Sequence, residues 1–589
     1  MRQVVSALRR GLVLLGLAVL AWPMAHPSRA QQCHLHELIE LPLTMDGRRA
    51  IISAKVNGHD ARFIADTGSY FSSVSLSNAK VMELRLGDWP YPIVGLGSTG
   101  LVSDQLGVAK TFEIDKHQLH DIEFLVGGSE LGVGVDGVLG QNLFQAGDVD
   151  LDLSSGSIRL FQPRGCGQTA LAYWVKPGGG YSSLDIWLTT LQNPIIRFYV
   201  YVNGVRLAAM LDSGANVTVI TRDAALKAGI RSTDAGVVEA GRGAGFSQKT
   251  ASSWIVPVAD FAIADEEIKN THIAMMDSDL GETDVIVGMD FLLSHHVFVA
   301  SSQNKLYFSY VGGQVFTSMA PVAKLQKVAL PEAEPKDAAG FARRGEAFLS
   351  RQQYDLAIAD LTRSIQMDGA QADVYYALGR ANAFAGHQDA ARADLDQALK
   401  LRPDDVRMLL LRAQMRQASN PAGADADLQA ADKLMSPGDH GRLELGGIYA
   451  GRNDHARALA QYDLWVASHP DDADLPAGLN DRCWQRALMN QDLDKARADC
   501  DRAIRMQPTE ANFWDSRGML DLRQGQPDKA VQDYDQALKL NPKLAFSLYG
   551  RSLAKGRLGQ AQDAAADKAA ALAVDPKIEQ KAKDEGVAG

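Results

Sequence analysis

Cysteine is scarce in this chain, with four among 589 residues, and no two stand at Cys-x-x-Cys spacing; His-Glu-x-x-His is also missing. The common zinc-binding motifs are thereby excluded. Positive charge is short as well: 60 Lys and Arg face 71 Asp and Glu, a formal net charge of -11. A chain with that balance lacks the basic footprint of a nucleic-acid binder. No Gly-x-Ser-x-Gly element occurs, which removes the nucleophile elbow of serine hydrolases. The apolar run from Gly11 to Ala25 falls short of the roughly 20 residues that a membrane-spanning helix needs. What remains is a globular composition, 46% hydrophobic and 22% charged. The length exceeds what one core can serve and implies roughly three or four domains.

The N-terminus orders basic, apolar and small residues: Arg2, Arg9 and Arg10, the run Gly11 to Ala25, then Ser28 and Ala30 before Gln31. That is the order of a secretory signal, so residues 1–30 are expected to direct export, with cleavage near Ala30 and no stable membrane span afterwards. An uncleaved anchor is the alternative. Cys33 follows Ala30-Gln31-Gln32 rather than a small-apolar lipobox, so no lipid anchor is expected. In an oxidising compartment four cysteines can pair. Cys33 with Cys166 and Cys483 with Cys500 is the favoured connectivity of three, and buried free thiols are the alternative.

Two stretches repeat one pattern. "IISAKVNGHDARFIADTG" and "IIRFYVYVNGVRLAAMLDSG" each place an Asn-Gly hairpin signal 9 positions before an aspartate, Asn57 before Asp66 and Asn203 before Asp212. A glycine-rich stretch begins 29 positions after each aspartate, at Gly95 and Gly241. "VLG" then ends at Gly140, 74 positions after Asp66, and "IVG" at Gly288, 76 after Asp212. Four features in register predict two duplicated, mainly β lobes, at 36–165 and 184–313. The Gly- and Pro-rich 166–183 reads as a linker between them, and 314–337 as a second linker.

From residue 338 the period changes. Gly345 and Gly379 stand 34 apart, as do Gly518 and Ser552, and Pro508, Pro542 and Pro576 close units at the same interval. With Ala357, Ala391, Ala458, Ala496 and Ala530 in the second helix of each unit, 338–580 resembles the tetratricopeptide repeat family, in about seven units. Such units stack into an all-α superhelix whose groove commonly takes a peptide or protein, and a protein partner is expected there. A spacing or dimerising role is the plainer alternative.

An aspartate at the end of an apolar strand, followed by a small hydroxyl residue and glycine, suits a tight loop that holds one carboxylate. Two such loops facing each other bring two carboxyls close enough to share a proton. The pair can then activate a water for peptide hydrolysis without metal, cofactor or covalent intermediate. None of the 13 histidines recurs at a matched position in the two lobes. His295-His296 are adjacent, point to opposite sides of a strand, and read as core or surface residues rather than ligands. Asn142 and Asp290, just past the two hydrophobic-Gly elements, read as caps of the following turn or helix.

"FIADTGSYFSSV" and "AMLDSGANVTVI", with "VLG" and "IVG" downstream, resemble the retropepsin-like aspartic proteases, especially bacterial members fused to tetratricopeptide repeats. The resemblance implies a catalytic dyad of Asp66 and Asp212. It makes Thr67, Gly68, Ser69, Ser213, Gly214 and Ala215 the supporting loop residues, with flaps near Gly95, Gly97, Gly241 and Gly243. Neither glycine-rich stretch contains tyrosine. The whole is then expected to be an exported, periplasmic aspartic endopeptidase with no cofactor and no metal, acting on a protein or peptide. Whether the dyad forms within one chain or across a dimer stays open. The second reading is a non-catalytic exported adaptor whose lobes only hold an extended peptide.

Overall fold

The computed structural model describes residues 33–88, 95–97, 100–103, 105–127, 131–176, 178–190, 193–244, 250–316, 334–470, 472, 474–584 and 586. The expected signal segment, 1–30, lies outside them. Two β lobes come first, then an array of helices.

The lobes share one strand order. In the first, Arg49–Val56, His59–Ala65, Gly137–Leu139, Ser73–Val74, His117–Val126 and Gln105–Ile114 lie side by side. In the second, Arg197–Val202, Val205–Leu211, Val285–Val287, Val219–Thr221, Glu266–Met276 and Thr250–Ile263 follow the same sequence. In both, the first of these strands also pairs with the last, which curls the sheet toward a barrel. The Asn-Gly signals form the turns: Asn57 and Asn203 have φ of 50° and 49°, and the glycines after them 89° and 77°. Left-handed backbone at both positions matches the twist of the flanking strands. Each asparagine also ties its hairpin to the lobe, Asn57 Nδ2 donating to the Met82 carbonyl (2.9 Å) and Asn203 Nδ2 to that of Ala228 (3.1 Å).

A six-stranded sheet joins the lobes, with His34–Pro42, Ser157–Arg164 and Asp148–Asp152 from the first and His295–Ala300 and Lys305–Tyr310 from the second, edged by Ser182–Asp185. Its central seam is the antiparallel pairing of Val149, Asp150 and Leu151 with Val299, Phe298 and Val297. Buried Asp150 accepts from His296 Nε2 (2.6 Å), Arg159 Nε (3.0 Å) and Tyr173 Oη (2.8 Å), which satisfies a charge that would otherwise be costly to bury. Trp174 stacks on His296 at 4.1 Å. Part of 166–183 is therefore packed into the seam rather than free. Disulfides join Cys33 to Cys166 and Cys483 to Cys500.

Among the described residues, seven antiparallel helix pairs run from Ala338–Ser350 to Ala561–Val574, followed by Ile578–Asp584. Ala357, Ala391, Ala458, Ala496 and Ala530 are all fully buried where the second helix approaches its neighbours. A Cβ on Gly446 would stand 2.6 Å from the Tyr462 ring, so only glycine admits that approach. Neighbouring pairs are bolted together by arginines. Arg517 binds Asp533 of its own pair (2.7 Å) and Asp501 of the pair before (2.8 Å), and Arg551 binds Asp567 and Asp535 (2.6 and 2.7 Å) in the same way. Arg412 and Arg482 repeat the bridge. No helix among the described residues is long and apolar enough to cross a membrane.

The array holds the first lobe. Met45 N–H donates to Glu346 Oε2 (2.7 Å), Arg380 pairs with Asp46 (3.1 Å), and Val133 packs near Gly441. These contacts come from the first helices of the first, second and fourth pairs.

Candidate active site

Strand His59–Ala65 runs parallel to Gly137–Leu139, and Val205–Leu211 to Val285–Val287. The two Asp loops begin where these strands end. Asp66 N–H donates to the Leu139 carbonyl (2.9 Å) and Asp212 N–H to that of Val287 (3.0 Å), so each hydrophobic-Gly element fixes the height of its aspartate.

Within each loop the carboxylate accepts main-chain N–H groups. Asp66 Oδ1 takes those of Gly68 (2.8 Å) and Ser69 (3.0 Å), and Asp212 Oδ1 those of Gly214 (2.8 Å) and Ala215 (3.1 Å). Between loops the hydroxyls cross over. Thr67 N–H donates to Ser213 Oγ and Ser213 N–H to Thr67 Oγ1, both at 3.0 Å. Thr67 Oγ1 donates to the Leu211 carbonyl (3.0 Å) and Ser213 Oγ to that of Ala65 (2.7 Å). Both hydroxyl residues are buried. The glycines are needed for proximity: a Cβ on Gly68 would lie 2.4 Å from Asp212 Cγ, and one on Gly214 the same distance from Asp66 Cγ.

The structure therefore brings Asp66 and Asp212 together within one chain, their carboxyls hydrogen-bonded to each other. Protein surrounds both, with a partly open face left to solvent. Burial raises both pKa values, and the charge and hydrogen bond of Asp212 push Asp66 well above the ordinary carboxylate range. The hydrogen bond from Asp66 works the other way on Asp212 and favours its charge. Two carboxyls this close titrate as a pair and share a proton rather than both ionising.

Support for the loops comes from residues whose role the sequence did not disclose. Asn142 and Asp290 are not helix caps; Gly140 and Gly288 hold the N-cap positions of Gln141–Phe144 and Met289–Leu292. Asn142 Oδ1 instead accepts from the backbone and hydroxyl of Ser72, both at 2.8 Å, and Asp290 Oδ1 from those of Thr218 at 2.8 and 2.7 Å. Those hydroxyls in turn accept from Gly140 and Gly288 N–H, each at 3.1 Å. Ser72 and Thr218 each stand six positions after their aspartate, a spacing that was there to be counted. Gln141 Nε2 closes the first loop by donating to the Thr67 carbonyl (2.7 Å).

Gly95 and Gly97 lie in a strand paired with Gly100–Ser103, and Gly241 and Gly243 in Val238–Ala244, paired with Thr250–Ile263. Residues 98, 99 and 245 of these stretches lie outside the described set. His295 and His296 are buried against Glu266 and Asp150 on different sides of their strand. Among the described residues no group of three or more His, Cys, Asp or Glu side chains is placed to hold a metal.

The aspartyl protease family matches the chain twice, over residues 52–143 and 198–291, and the tetratricopeptide repeat family matches 372–405 and 511–544. No curated protein matches the chain. Solved structures that resemble it are tetratricopeptide proteins. The Cut9-Hcn1 hetero-tetramer of the APC/C is 16% identical, with a TM-score of 0.29, over 37% of this chain and 42% of that one. A repeat protein from Parabacteroides merdae is 16% identical, with 0.26, over 38% and 84%. Yeast Tom70 is 17% identical, with 0.28, over 42% and 50%, so this chain spans half or less of the first and third. Residues 52–143 and 198–291 are two copies of an aspartyl protease domain, joined to a C-terminal array of tetratricopeptide repeats.

Proposed function

We propose that the protein is an exported aspartic endopeptidase, acting in the periplasm, that hydrolyses peptide bonds with the Asp66–Asp212 pair. The observation that carries this reading is the cross-braced pair of loops: each carboxyl is held by main-chain N–H groups of its own loop, and each loop by the hydroxyl of the other. Asp212, the carboxylate, takes a proton from a bound water as that water attacks the scissile carbonyl. Asp66 delivers its proton to the carbonyl oxygen, so the tetrahedral intermediate carries no full negative charge. Asp212 then returns its proton to the leaving nitrogen as the C–N bond breaks, and a hydroxyl of the intermediate gives its proton back to Asp66 as the C=O bond re-forms, which restores the shared proton. Gly95 and Gly97 in one paired strand and Gly241 and Gly243 in the other let the backbone come close to an extended substrate. Export is supported by the order of residues 1–30, and the two disulfides suit an oxidising compartment.

The repeats serve protein interaction, and their early first helices already hold the first lobe, so a substrate or partner protein is assigned to the later pairs. An adaptor reading has one observation in its favour: a strand-lined cleft can bind a peptide without cutting it. Incubation of the mature chain with a peptide library from unfolded proteins, from acid to neutral pH, separates the two. Cleavage supports the protease; retention of intact peptides at every pH supports the adaptor.

A further inference from the structure

We propose that the cavity between the first lobe and the helical array is a binding site for a small carboxylate, held by Arg62. The space is about 350 Å³ and sits beside a second chamber of about 230 Å³ that shares Asp46, Tyr376 and Arg407 with it. A volume of that size is in the range of small-ligand sites. It is remote from the dyad in function, since neither aspartate lines it.

The cavity is rich in charge, and nearly all of that charge is already paired. Arg380 binds Asp46 at 3.1 Å, Arg402 binds Asp373 at 2.8 Å, and Arg407 binds both Asp405 (2.6 Å) and Asp373 (3.2 Å). Arg62 is the exception. Its Nη1 is buried with no hydrogen-bond partner, and among the described residues its guanidinium enters no ion pair. A largely buried guanidinium without an acceptor is costly, and the nearby Arg407 adds repulsion that the charges of Asp46, Asp373 and Asp405 only partly offset.

The duplication supplies an internal control. Arg62 N–H donates to Asp136 Oδ2 (2.8 Å) and its carbonyl accepts from Asp136 N–H (2.7 Å). In the second lobe Ala208, also four positions before the motif aspartate, makes the same two bonds with Asp284, at 3.0 and 2.8 Å. The fold thus needs only the main chain at this position. The guanidinium is an addition found only in the lobe that faces the array, and its length carries it into the seam.

The chemistry of the walls selects the ligand. A single guanidinium without a partner matches one carboxylate, in the forked geometry that arginine favours. The acidic groups around it, among them Asp46, Asp373 and Glu346, repel a multiply charged anion such as phosphate. They accept hydrogen bonds from hydroxyl or amide groups on the rest of the molecule. A free small acid and the carboxyl end of a short peptide share this chemistry.

Calorimetric titration of the mature full-length chain carrying Asp212→Asn, which leaves peptides uncut, tests the site whether or not the protein is a protease. The probes are lactate, acetylated dipeptides with a free carboxyl end, the same dipeptides as amides, and inorganic phosphate. Saturable binding of lactate or of the free-acid dipeptides, with none of the amides or phosphate, is expected. The stronger of the two carboxylate probes identifies the source. Arg62→Ala should weaken that binding roughly 10- to 100-fold. Arg62→Gln, which keeps a polar side chain and drops the charge, should match it, and the unliganded chain should unfold at no lower a temperature than the parent, since a costly unpartnered guanidinium is removed. The proposal is overturned if the carboxylates do not saturate at millimolar concentration, if amides or phosphate bind as well, or if both Arg62 variants bind like the parent.

Discussion

Thr67 and Ser213 hold each other's loops: each hydroxyl accepts the other residue's backbone N–H at 3.0 Å and donates to the carbonyl that ends the opposite strand. A hydroxyl is thus required in both motifs, and threonine and serine are equivalent for the purpose.

Thr67→Ala or Ser213→Ala removes a hydroxyl that serves two groups and leaves an N–H and a carbonyl buried without partners. Each should lower unfolding stability by about 2–3 kcal/mol in urea titrations, whereas Ser213→Thr should change it by less than about 1 kcal/mol. Activity should fall with the alanine variants, because the same bonds set the spacing of the aspartates.

The dyad carboxyls have raised pKa values in the folded chain. The folded state therefore binds more protons than the unfolded one, and the stabilisation this gives is complete below the ordinary carboxylate pKa and lost as pH rises through the folded values. Asp66→Asn and Asp212→Asn remove that alkaline penalty. Both variants should unfold at higher temperature than the parent at neutral pH, with the difference shrinking in acid. Calorimetric scans across pH read this directly, and a lower midpoint at neutral pH for both would contradict it.

Glu346, buried at the seam, is pushed up to about 7 by loss of solvent, with Asp373 adding to the shift and Met45 N–H, Arg380 and Arg62 opposing it. Ionising this buried carboxyl above pH 7 therefore costs the seam stability, although the Met45 hydrogen bond itself favours the charged form. Hydrogen exchange of Thr44–Asp46 should quicken from pH 6 to 8 beyond the intrinsic base-catalysed increase. In Glu346→Gln that excess should vanish.

Asp290 and Asn142 occupy matching positions and use one side-chain oxygen in the same way, and Asp290 Oδ2 is buried without a partner. Burial raises its pKa, and the two hydrogen bonds from Thr218 oppose the rise. Asp290→Asn should be tolerated within about 0.5 kcal/mol, while Asp290→Ala orphans the Thr218 N–H and should cost about 2 kcal/mol.

Much of this molecule was legible because its spacing is local. Asn57-Gly58 and Asn203-Gly204 announce their hairpins, and the 34-residue interval from Gly345 to Gly379 announces the repeat. What could not be read depends on residues far apart in sequence. Nothing near Met45 says that it meets Glu346, and the Gly- and Pro-rich look of 166–183 hides the packing of Tyr173 and Trp174 against Asp150 and His296. Asn142 and Asp290 resembled caps because they open short helices. Their true partners, Ser72 and Thr218, lie some 70 positions upstream.

The central claim is that one site uses both aspartates. The most direct measurement is kcat/KM for a single peptide substrate with the parent chain, Asp66→Asn and Asp212→Asn. Each substitution should lower it by at least about 100-fold on its own, since each removes one half of a proton-sharing pair. Full activity in either variant, or none in the parent at any pH while it still binds the peptide, would contradict the account.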